Sequence, residues 1–179
     1  MIILGIDPGT VIMGFSIISV ENNKVNLLEM GVEKMAKLPD QNAKLKRIFE
    51  CTIEIIERYK PDVLAIEAPF FGKNPQSMLK LGRAQGVVIA ASLSRNLDVF
   101  EYSPRKIKQS ITGKGAASKE QVAAMLKNMG IYTEDSKYFD ATDALAVAVC
   151  HQLQNKISIP GKKYTGWESF ISENANRVK

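Results

Sequence analysis

Short apolar runs alternate with longer amphipathic stretches along the chain. Residues 2–6 form a β-branched run that stops at Asp-Pro-Gly-Thr, which is typical of a buried strand that ends in a tight turn. Residues 14–20 and 24–33 predict two further strands, and the Glu-Asn-Asn sequence between them supplies the turn chemistry of a hairpin. We therefore expect three antiparallel strands at the start of the fold.

Helical spacing dominates the remainder, interrupted by two more strands. The pattern predicts helices over 40–59, 74–95, 103–111, 118–128 and 140–153, and strands over 62–66 and 97–102. The apolar stripe of the second of these helices suits either the core or a dimer face. Hairpin strands followed by alternating helices and strands indicate an α/β fold, a mixed sheet with helices on both faces. This arrangement resembles the RNase H-like fold.

Length and composition indicate one domain. A chain of 179 residues that is 45% hydrophobic can build one core and is too short for two. We assign residues 1–154 to one RNase H-like domain and 155–179, which mix Gly, Pro, Lys and Asn with little period, to a mobile or peripheral tail. The 24 Lys and Arg against 19 Asp and Glu give a net charge of +5, which favours a polyanionic partner.

The remaining composition predicts a cytoplasmic protein. Cys51 and Cys150 are far apart and the chain has one histidine, so neither a disulfide framework nor a zinc site is expected. The N-terminal run lacks a basic start and reaches an acidic residue after six positions, unlike a signal peptide or membrane anchor. No segment has the run of about 18 apolar residues that a spanning helix needs.

Four carboxylates border or interrupt apolar segments. Asp7 and Glu67 each follow a predicted buried strand, and Asp140 and Asp143 lie three residues apart on an Ala-rich helix, where they can point at one spot. Like charges at a buried sheet edge repel, and a bound hard cation is the usual remedy. We therefore expect Mg²⁺, with Mn²⁺ as a substitute. Taken singly, however, an Asp at a strand end is usually a turn former, and Asp140 a helix cap.

Four sequence motifs resemble the RuvC family in order and spacing. They are GIDPGT at 5–10, IEAPF at 66–70, KLGRAQG at 80–86 and DATDALAVA at 140–148, and the match spans about residues 2–153. The resemblance implies a Holliday junction resolvase whose metal site is formed by Asp7, Glu67, Asp140 and Asp143. Some relatives carry a histidine at the position of Asp140. Two ions per site can stabilise both the attacking and the leaving oxygen of phosphodiester hydrolysis.

Aromatic and basic residues supply the candidate DNA contacts. Phe70 and Phe71, followed by Lys73, lie on an expected loop beside the acidic site and suit stacking on unpaired bases. A stretch without acidic residues carries further cations that suit a phosphate backbone. These are Arg105, Lys106, Lys108, Lys114 and Lys119, with Lys80 and Arg83 on the long helix as weaker candidates. The resemblance aligns Phe70 with an aromatic at the junction point, and Lys108 and Lys119 with basic residues that support binding and cleavage.

The family also implies partners and products. It implies a homodimer built around the helix at 74–95, whose twofold symmetry matches that of four-way junction DNA. It implies paired nicks with 5′-phosphate and 3′-hydroxyl ends, in homologous recombination and DNA repair with the branch-migration proteins RuvA and RuvB. No membrane partner is expected.

Three other hypotheses remain open. Actin-like and sugar-kinase ATPases share an Asp-x-Gly-Thr turn, but they normally need a second domain for which this chain has no room. A protein that binds junctions without cutting them is a second alternative, against which the four carboxylates argue. The third is another RNase H-like nuclease, such as a YqgF-type resolvase or an RNA-hybrid nuclease, against which the aromatic loop and the DATDALAVA helix argue.

Overall fold

The computed structural model describes residues 1–69, 74–132 and 139–157. Within these ranges the chain forms a five-stranded sheet with helices on both faces, as predicted. The elements are β1 (Ile2–Asp7), β2 (Ile12–Glu21), β3 (Lys24–Lys34), α1 (Gln41–Tyr59), β4 (Val63–Glu67), α2 (Pro75–Leu93), β5 (Asp98–Tyr102), α3 (Pro104–Thr112), α4 (Lys119–Asn128) and α5 (Phe139–Ile157).

The sheet is mixed, with the strand order β3-β2-β1-β4-β5. Strand β1 pairs antiparallel with β2 and parallel with β4, and β4 pairs parallel with β5. The predicted hairpin between β2 and β3 is confirmed, because Asn22 and Asn23 both adopt positive φ, at 49° and 65°. Two such residues form the turn whose twist matches a two-residue hairpin, and asparagine tolerates this conformation better than most side chains.

The central strands β1, β2 and β4 are buried on both faces of the sheet. Adjacent strand residues point to opposite sides, so Ile3 joins the core beneath α3, α4 and α5, while Leu4 joins the core beneath α1 and α2. Helix α5 is the central helix of its layer: Leu145 and Val147 are fully buried. Burial of one such side chain stabilises the fold by about 1.5–3 kcal/mol. The expectation that this helix is deeply packed is confirmed.

Capping residues fix where the helices begin. The Asp40 carboxylate accepts a 2.8 Å hydrogen bond from the Ala43 amide, so Asp40 is the N-cap of α1 and not its first residue. Helix α5 begins at Phe139, which makes Asp140 a first-turn residue rather than a cap. The same helix continues to Ile157, three residues past the domain boundary that we expect at residue 154. The remaining tail lies outside the described residues.

Helix α2 divides its apolar residues between the core and the surface. Ala84, Val88 and Ala91 are fully buried, whereas the Leu79 and Leu93 residues are 64% and 56% exposed. The predicted stripe therefore faces the core in its middle, and separate leucines lie at the surface. None of the described helices is long and apolar enough to cross a membrane.

Candidate active site

Two carboxylates lie at the ends of neighbouring parallel strands. Asp7 is the last residue of β1 and Glu67 the last residue of β4. The strands pair with Ile6 opposite Ile66, so the next residue on each strand lies at the same edge of the sheet. Ligand sites of open α/β sheets commonly lie beyond these carboxyl ends. The prediction that both acids end buried strands is confirmed.

Gly14 brings the first turn of α5 against the sheet beside Asp7. A Cβ atom on Gly14 would lie 1.9 Å from the backbone oxygen of Asp140, so any side chain here would push the helix away. Gly14 also pairs with Asp7 across β1 and β2. The backbone of Asp140 therefore lies directly over the strand pair that carries Asp7.

A second glycine continues the close packing one turn further along α5. A Cβ atom on Gly5 would lie 2.3 Å from the backbone oxygen of Ala144 and 2.8 Å from the Cβ atom of Ala148. The buried Ser16 hydroxyl donates a 3.0 Å hydrogen bond to the same Ala144 oxygen. Because α5 is held at both points, Asp143, which precedes Ala144, has a fixed position relative to the strand ends.

Three of the four predicted acids line one cavity. It has a volume of about 220 Å³ and is lined by Asp7, Glu67 and Asp143 together with Lys108 and Lys119. We call it the acidic cavity. Its remaining walls include Ile107, Val122 and Ala146. Apolar walls exclude water, which strengthens the interactions between the charges inside.

Lys119 forms the direct ion pair of the acidic cavity. Its ammonium group donates a hydrogen bond to the Asp143 carboxylate, whose side chain is 15% exposed. Lys119 is the first residue of α4, and a capping box fixes this end of the helix: the Ser118 hydroxyl accepts from the Gln121 amide, and the Gln121 side chain accepts from the Ser118 amide. The helix start thereby places the lysine over the acids.

Burial and repulsion between carboxylates raise the pKa values of the three acids in the acidic cavity. Burial raises the pKa of Asp7 well above its ordinary value, and the charges of Glu67 and Asp143 raise it further. Burial, followed by the charge of Asp143, raises the pKa of Glu67 to about 7, against the lowering effect of Lys119 and Lys108. Burial also raises the pKa of Asp143, although its hydrogen bond from Lys119 opposes this shift. Negative charge in the cavity is only partly neutralised by the two lysines.

The donor set fits a hard divalent cation. Carboxylate oxygens are the ligands that Mg²⁺ and Mn²⁺ prefer, and a bound cation would favour the ionised forms that burial now disfavours. As the side chains stand, no three acidic, histidine or cysteine groups among the described residues are arranged to hold an ion. The Lys119 ammonium takes the position of a cation at Asp143. The residue types therefore fit the ion, and binding requires the side chains to reorient.

Asp140 and Asp143 line different cavities, although Asp7 lines both. Asp140 lines a larger groove of about 580 Å³ that also includes Asp7, whereas Asp143 lines the acidic cavity. The expectation that Asp140 and Asp143 point at one spot is therefore only partly met. Their charges still interact, because Asp140 raises the pKa of Asp143 after the larger effect of burial.

The predicted cations fall into several groups. Lys108 lines both the acidic cavity and a neighbouring cavity of about 800 Å³, which Arg105 and Lys114 also line. We call the latter the cationic cavity. Lys106 is exposed on α3 and is not among the described residues that line either cavity. Lys80 lines the larger groove beside Asp140, and Arg83 lines a separate apolar hollow on α2. Phe70, Phe71 and Lys73 lie outside the described residues.

The glycines that position α5 were not predicted from the sequence. Gly5 lies directly before the Ile-Asp-Pro-Gly turn and Gly14 lies in β2, where a glycine usually weakens a strand unless another backbone approaches closely. A glycine inside a predicted strand was therefore the sequence signal that another backbone approaches there. The partners of these glycines, more than 120 residues later, had no signal in the local pattern.

Comparison with known proteins identifies relatives over nearly the whole chain. The family model for crossover junction endodeoxyribonuclease RuvC matches residues 3–151. A protein of that name from Christiangramia forsetii is 56% identical over 178 residues, which cover 99% of this chain and 93% of that protein. One from Cytophaga hutchinsonii is 54% identical over 178 residues, with 99% and 88% covered.

Solved structures agree with the sequence relatives. The RuvC structure of Thermus thermophilus superimposes with a TM-score of 0.79 at 31% identity, covering 88% of this chain and 96% of that one. The structure of T. thermophilus RuvC in complex with Holliday junction substrate gives a TM-score of 0.81 at 30% identity, with the same coverage. The chain belongs to the RuvC family of crossover junction endodeoxyribonucleases.

Proposed function

We propose that this protein is a metal-dependent endonuclease that resolves Holliday junctions by paired, symmetric phosphodiester hydrolysis. The observation that carries the proposal is the acidic cavity, in which Asp7, Glu67 and Asp143 meet beside Lys119 in a chain of this family. The relatives are named as junction endonucleases, and one was solved with junction substrate. The products would be nicked duplexes with 5′-phosphate and 3′-hydroxyl ends.

The acids would hold Mg²⁺, for which Mn²⁺ could substitute, with two ions at each site. Asp7, Glu67 and Asp143 would be ligands from the acidic cavity, and Asp140 would contribute from the groove that Asp7 also lines. When bound, such ions stabilise the charges that develop on the attacking and leaving oxygens of phosphoryl transfer. Oxygen ligands suffice for this chemistry, so it requires no histidine or cysteine.

The lysines of the cavity would act on the phosphate. Lys119 and Lys108 oppose the negative charge of the acids before DNA arrives, as their lowering effect on the pKa of Glu67 indicates. Once cations neutralise the acids, the same ammonium groups become available to a phosphate oxygen. Such charge-assisted hydrogen bonds, in a cavity with partly apolar walls, would hold the phosphate in place for reaction.

The junction arms would follow the cationic surface. Lys108 connects the acidic cavity with the cationic cavity, where Arg105 and Lys114 would contact the phosphate backbone. Lys106 on α3 and Arg83 on α2 are further candidates on neighbouring surfaces. We further propose that Phe70 and Phe71, with Lys73 beside them, stack on unpaired bases at the junction centre.

The working unit would be a homodimer. Helix α2 carries Leu79 and Leu93 at its surface, and a Cβ atom on Gly82 or Gly86 would meet nothing within 4 Å. Exposed leucines beside small residues allow a second helix to approach closely, and a twofold pair of sites matches the symmetry of a four-way junction. In the cell the dimer would serve recombination and DNA repair in the cytoplasm, with RuvA and RuvB supplying branch migration.

The first experiment is cleavage of a mobile four-way DNA junction with and without Mg²⁺. Wild type should make paired nicks only with the metal, and Asp143→Asn should lower the rate by at least about a thousandfold, since it removes a ligand charge. Asp98→Asn, an exposed aspartate at the start of β5, is the matched control and should cut normally. Tight junction binding by wild type without metal-dependent nicking would instead establish a binding protein, and faster cutting of an RNA–DNA hybrid would indicate a different nuclease.

A further inference from the structure

Asp7 lies between two cavities, of which the acidic cavity is only one. The other is the groove of about 580 Å³ that Asp140 lines, and we call it the flanking groove. It lies between the turn after β1 and the first turns of α1 and α2. Its polar lining comprises Thr10, Gln41, Lys44, Ser77 and Lys80 besides the two aspartates. A DNA strand that places one phosphate at Asp7 would therefore have a second cavity beside that phosphate.

The lysines of the flanking groove are available to a ligand. Neither Lys44 nor Lys80 forms an ion pair with any of the residues that the structure describes. Lys46, two residues beyond Lys44 on the same helix, differs because it pairs with Glu50 on the exposed surface. Two ammonium groups that form no ion pair with the described residues favour an anionic ligand at their end of the groove.

Gln41 adds a hydrogen-bond donor that lacks a partner among the described residues. Its side-chain nitrogen is buried and makes no hydrogen bond with the residues that the structure describes. A buried donor without an acceptor destabilises a protein by about 1–3 kcal/mol, so such a group is worth explaining. Gln41 lines the groove, so a rotation of its side-chain amide toward an oxygen or nitrogen acceptor of a bound ligand would satisfy this donor.

The two aspartates indicate which phosphate of the DNA strand would bind in the flanking groove. Asp7 and Asp140 belong to the proposed metal site, which would hold the phosphate that is cut. The lysines of the groove are then left for the neighbouring nucleotide. Asp7 also lines the acidic cavity, where Lys108 leads into the cationic cavity, so cations lie in both of the cavities that Asp7 lines.

We propose that the flanking groove holds the nucleotide next to the scissile phosphate, with Lys44 and Lys80 on its phosphate and the Gln41 amide donating to an acceptor of that nucleotide. The inference rests on the proposed junction cleavage and extends it. Gln41 and Lys44 act as positioning residues, because they hold the strand in register with the acids and do not touch the reacting atoms. The acceptor for Gln41 belongs either to the sugar-phosphate backbone or to the base.

The test compares single-turnover cleavage and binding for four variants of the full chain. Lys44→Met and Gln41→Leu should each slow cleavage at saturating protein by about tenfold, the loss of one hydrogen bond to the substrate. The junction Kd should rise by less, since the arms are bound elsewhere. Lys46→Met is the matched control on α1 and should change neither quantity. Lys44→Arg, which keeps the charge, should restore most of the rate.

The outcomes distinguish a failure of the groove inference from a failure of the proposed function. A Gln41→Leu effect that differs among junctions of different sequence identifies a base acceptor, and a uniform effect identifies the backbone. Both results support the groove. Equal cleavage by Lys44→Met, Gln41→Leu and Lys46→Met, with active wild type, overturns the inference and leaves the resolvase proposal intact. Failure of the wild type itself to cut four-way junctions refutes the proposed function and, with it, the inference that rests on it.

Discussion

At the scale of single residues, the acidic cavity is a balance between like charges and two lysines. Burial of Lys119 lowers its pKa, but the hydrogen bond to Asp143 and the charges of Asp143 and Asp7 outweigh this and raise it. The lysine therefore stays charged and holds the acids together without a metal. Because Lys119 and a cation would occupy the same carboxylates, the balance must change when the metal binds.

This balance predicts how the stability of the metal-free protein depends on pH. The pKa of Glu67 is raised to about 7 in the folded state from an ordinary 4.5. Below about pH 4.5 Glu67 is protonated in both the folded and the unfolded state, and its contribution to the free energy of unfolding is complete. As the pH rises through 7 the buried carboxyl ionises, and this contribution is lost, by up to about 3 kcal/mol. Glu67→Gln stays neutral, so it should be more stable than wild type above pH 7, with little difference near pH 4.5.

Chemical denaturation in EDTA across this pH range measures the effect. Glu50→Gln, which alters only an exposed ion pair with Lys46, is the control and should follow the wild-type curve. Mg²⁺ added above pH 7 should stabilise wild type more than Glu67→Gln, because the cation favours the ionised carboxylate. If the free energy of unfolding changed with pH in the same way for wild type and Glu67→Gln, ionisation of Glu67 would not be the cause of the pH dependence.

At the scale of secondary structure, the position of the site depends on how closely α5 packs on the sheet. Gly14 allows the backbone of Asp140 to approach β2, and Gly5 does the same for Ala144. Both contacts are with backbone atoms, which cannot move aside as a flexible side chain can. A side chain at Gly14 must therefore shift the first turn of α5, and the shift reaches Asp140 and Asp143 together.

Gly14→Ala should accordingly impair cleavage more than folding. We expect a loss of stability of about 1–3 kcal/mol, as for other overpacked sites, and a fall in metal-dependent junction cleavage of about a hundredfold, because misplacement by about 1 Å has effects of that size. Gly31→Ala, on β3, is the matched control, because its Cβ atom would lie 2.9 Å from the ring of Phe15. That variant should lose stability while keeping its cleavage rate, measured well below its unfolding temperature. Equal losses of cleavage in both would contradict the specific role of Gly14.

Local patterns were sufficient to predict the elements and the strand-end acids. The hairpin turn at Asn22 and Asn23 and the ends of β1 and β4 depend on nearby residues, so the sequence contains their signal. The far end of α5 did not follow from its apolar spacing. The division of Asp140 and Asp143 between two cavities depends on where Asp7 lies relative to the helix, which is a long-range contact. Periodicity can show that two residues share a helix face, but not which neighbours that face meets.

At the scale of the whole molecule, charged and apolar surfaces are separate. The acidic and cationic cavities adjoin one another through Lys108, whereas a hollow of about 640 Å³ on α2 is lined by Pro69, Pro75, Met78, Leu79, Gly82 and Arg83. Among the described residues the hollow is mainly apolar, with Arg83 at its edge, which is typical of a protein contact rather than a phosphate contact. The proposed dimer therefore uses a surface that leaves the acids and the lysines open to DNA.

Leu79→Lys should separate the subunits and uncouple the two nicks. Placing a charge on a leucine that is 64% exposed in the single chain affects the isolated fold little, but it would put like charges into a twofold contact. Wild type should sediment as a dimer and release both strands of a junction together, whereas Leu79→Lys should sediment as a monomer and accumulate junctions with one nick. Met129→Lys, at an exposed methionine after α4, is the control and should remain dimeric. A wild-type monomer that still makes paired nicks would mean that pairing does not arise from symmetry through α2.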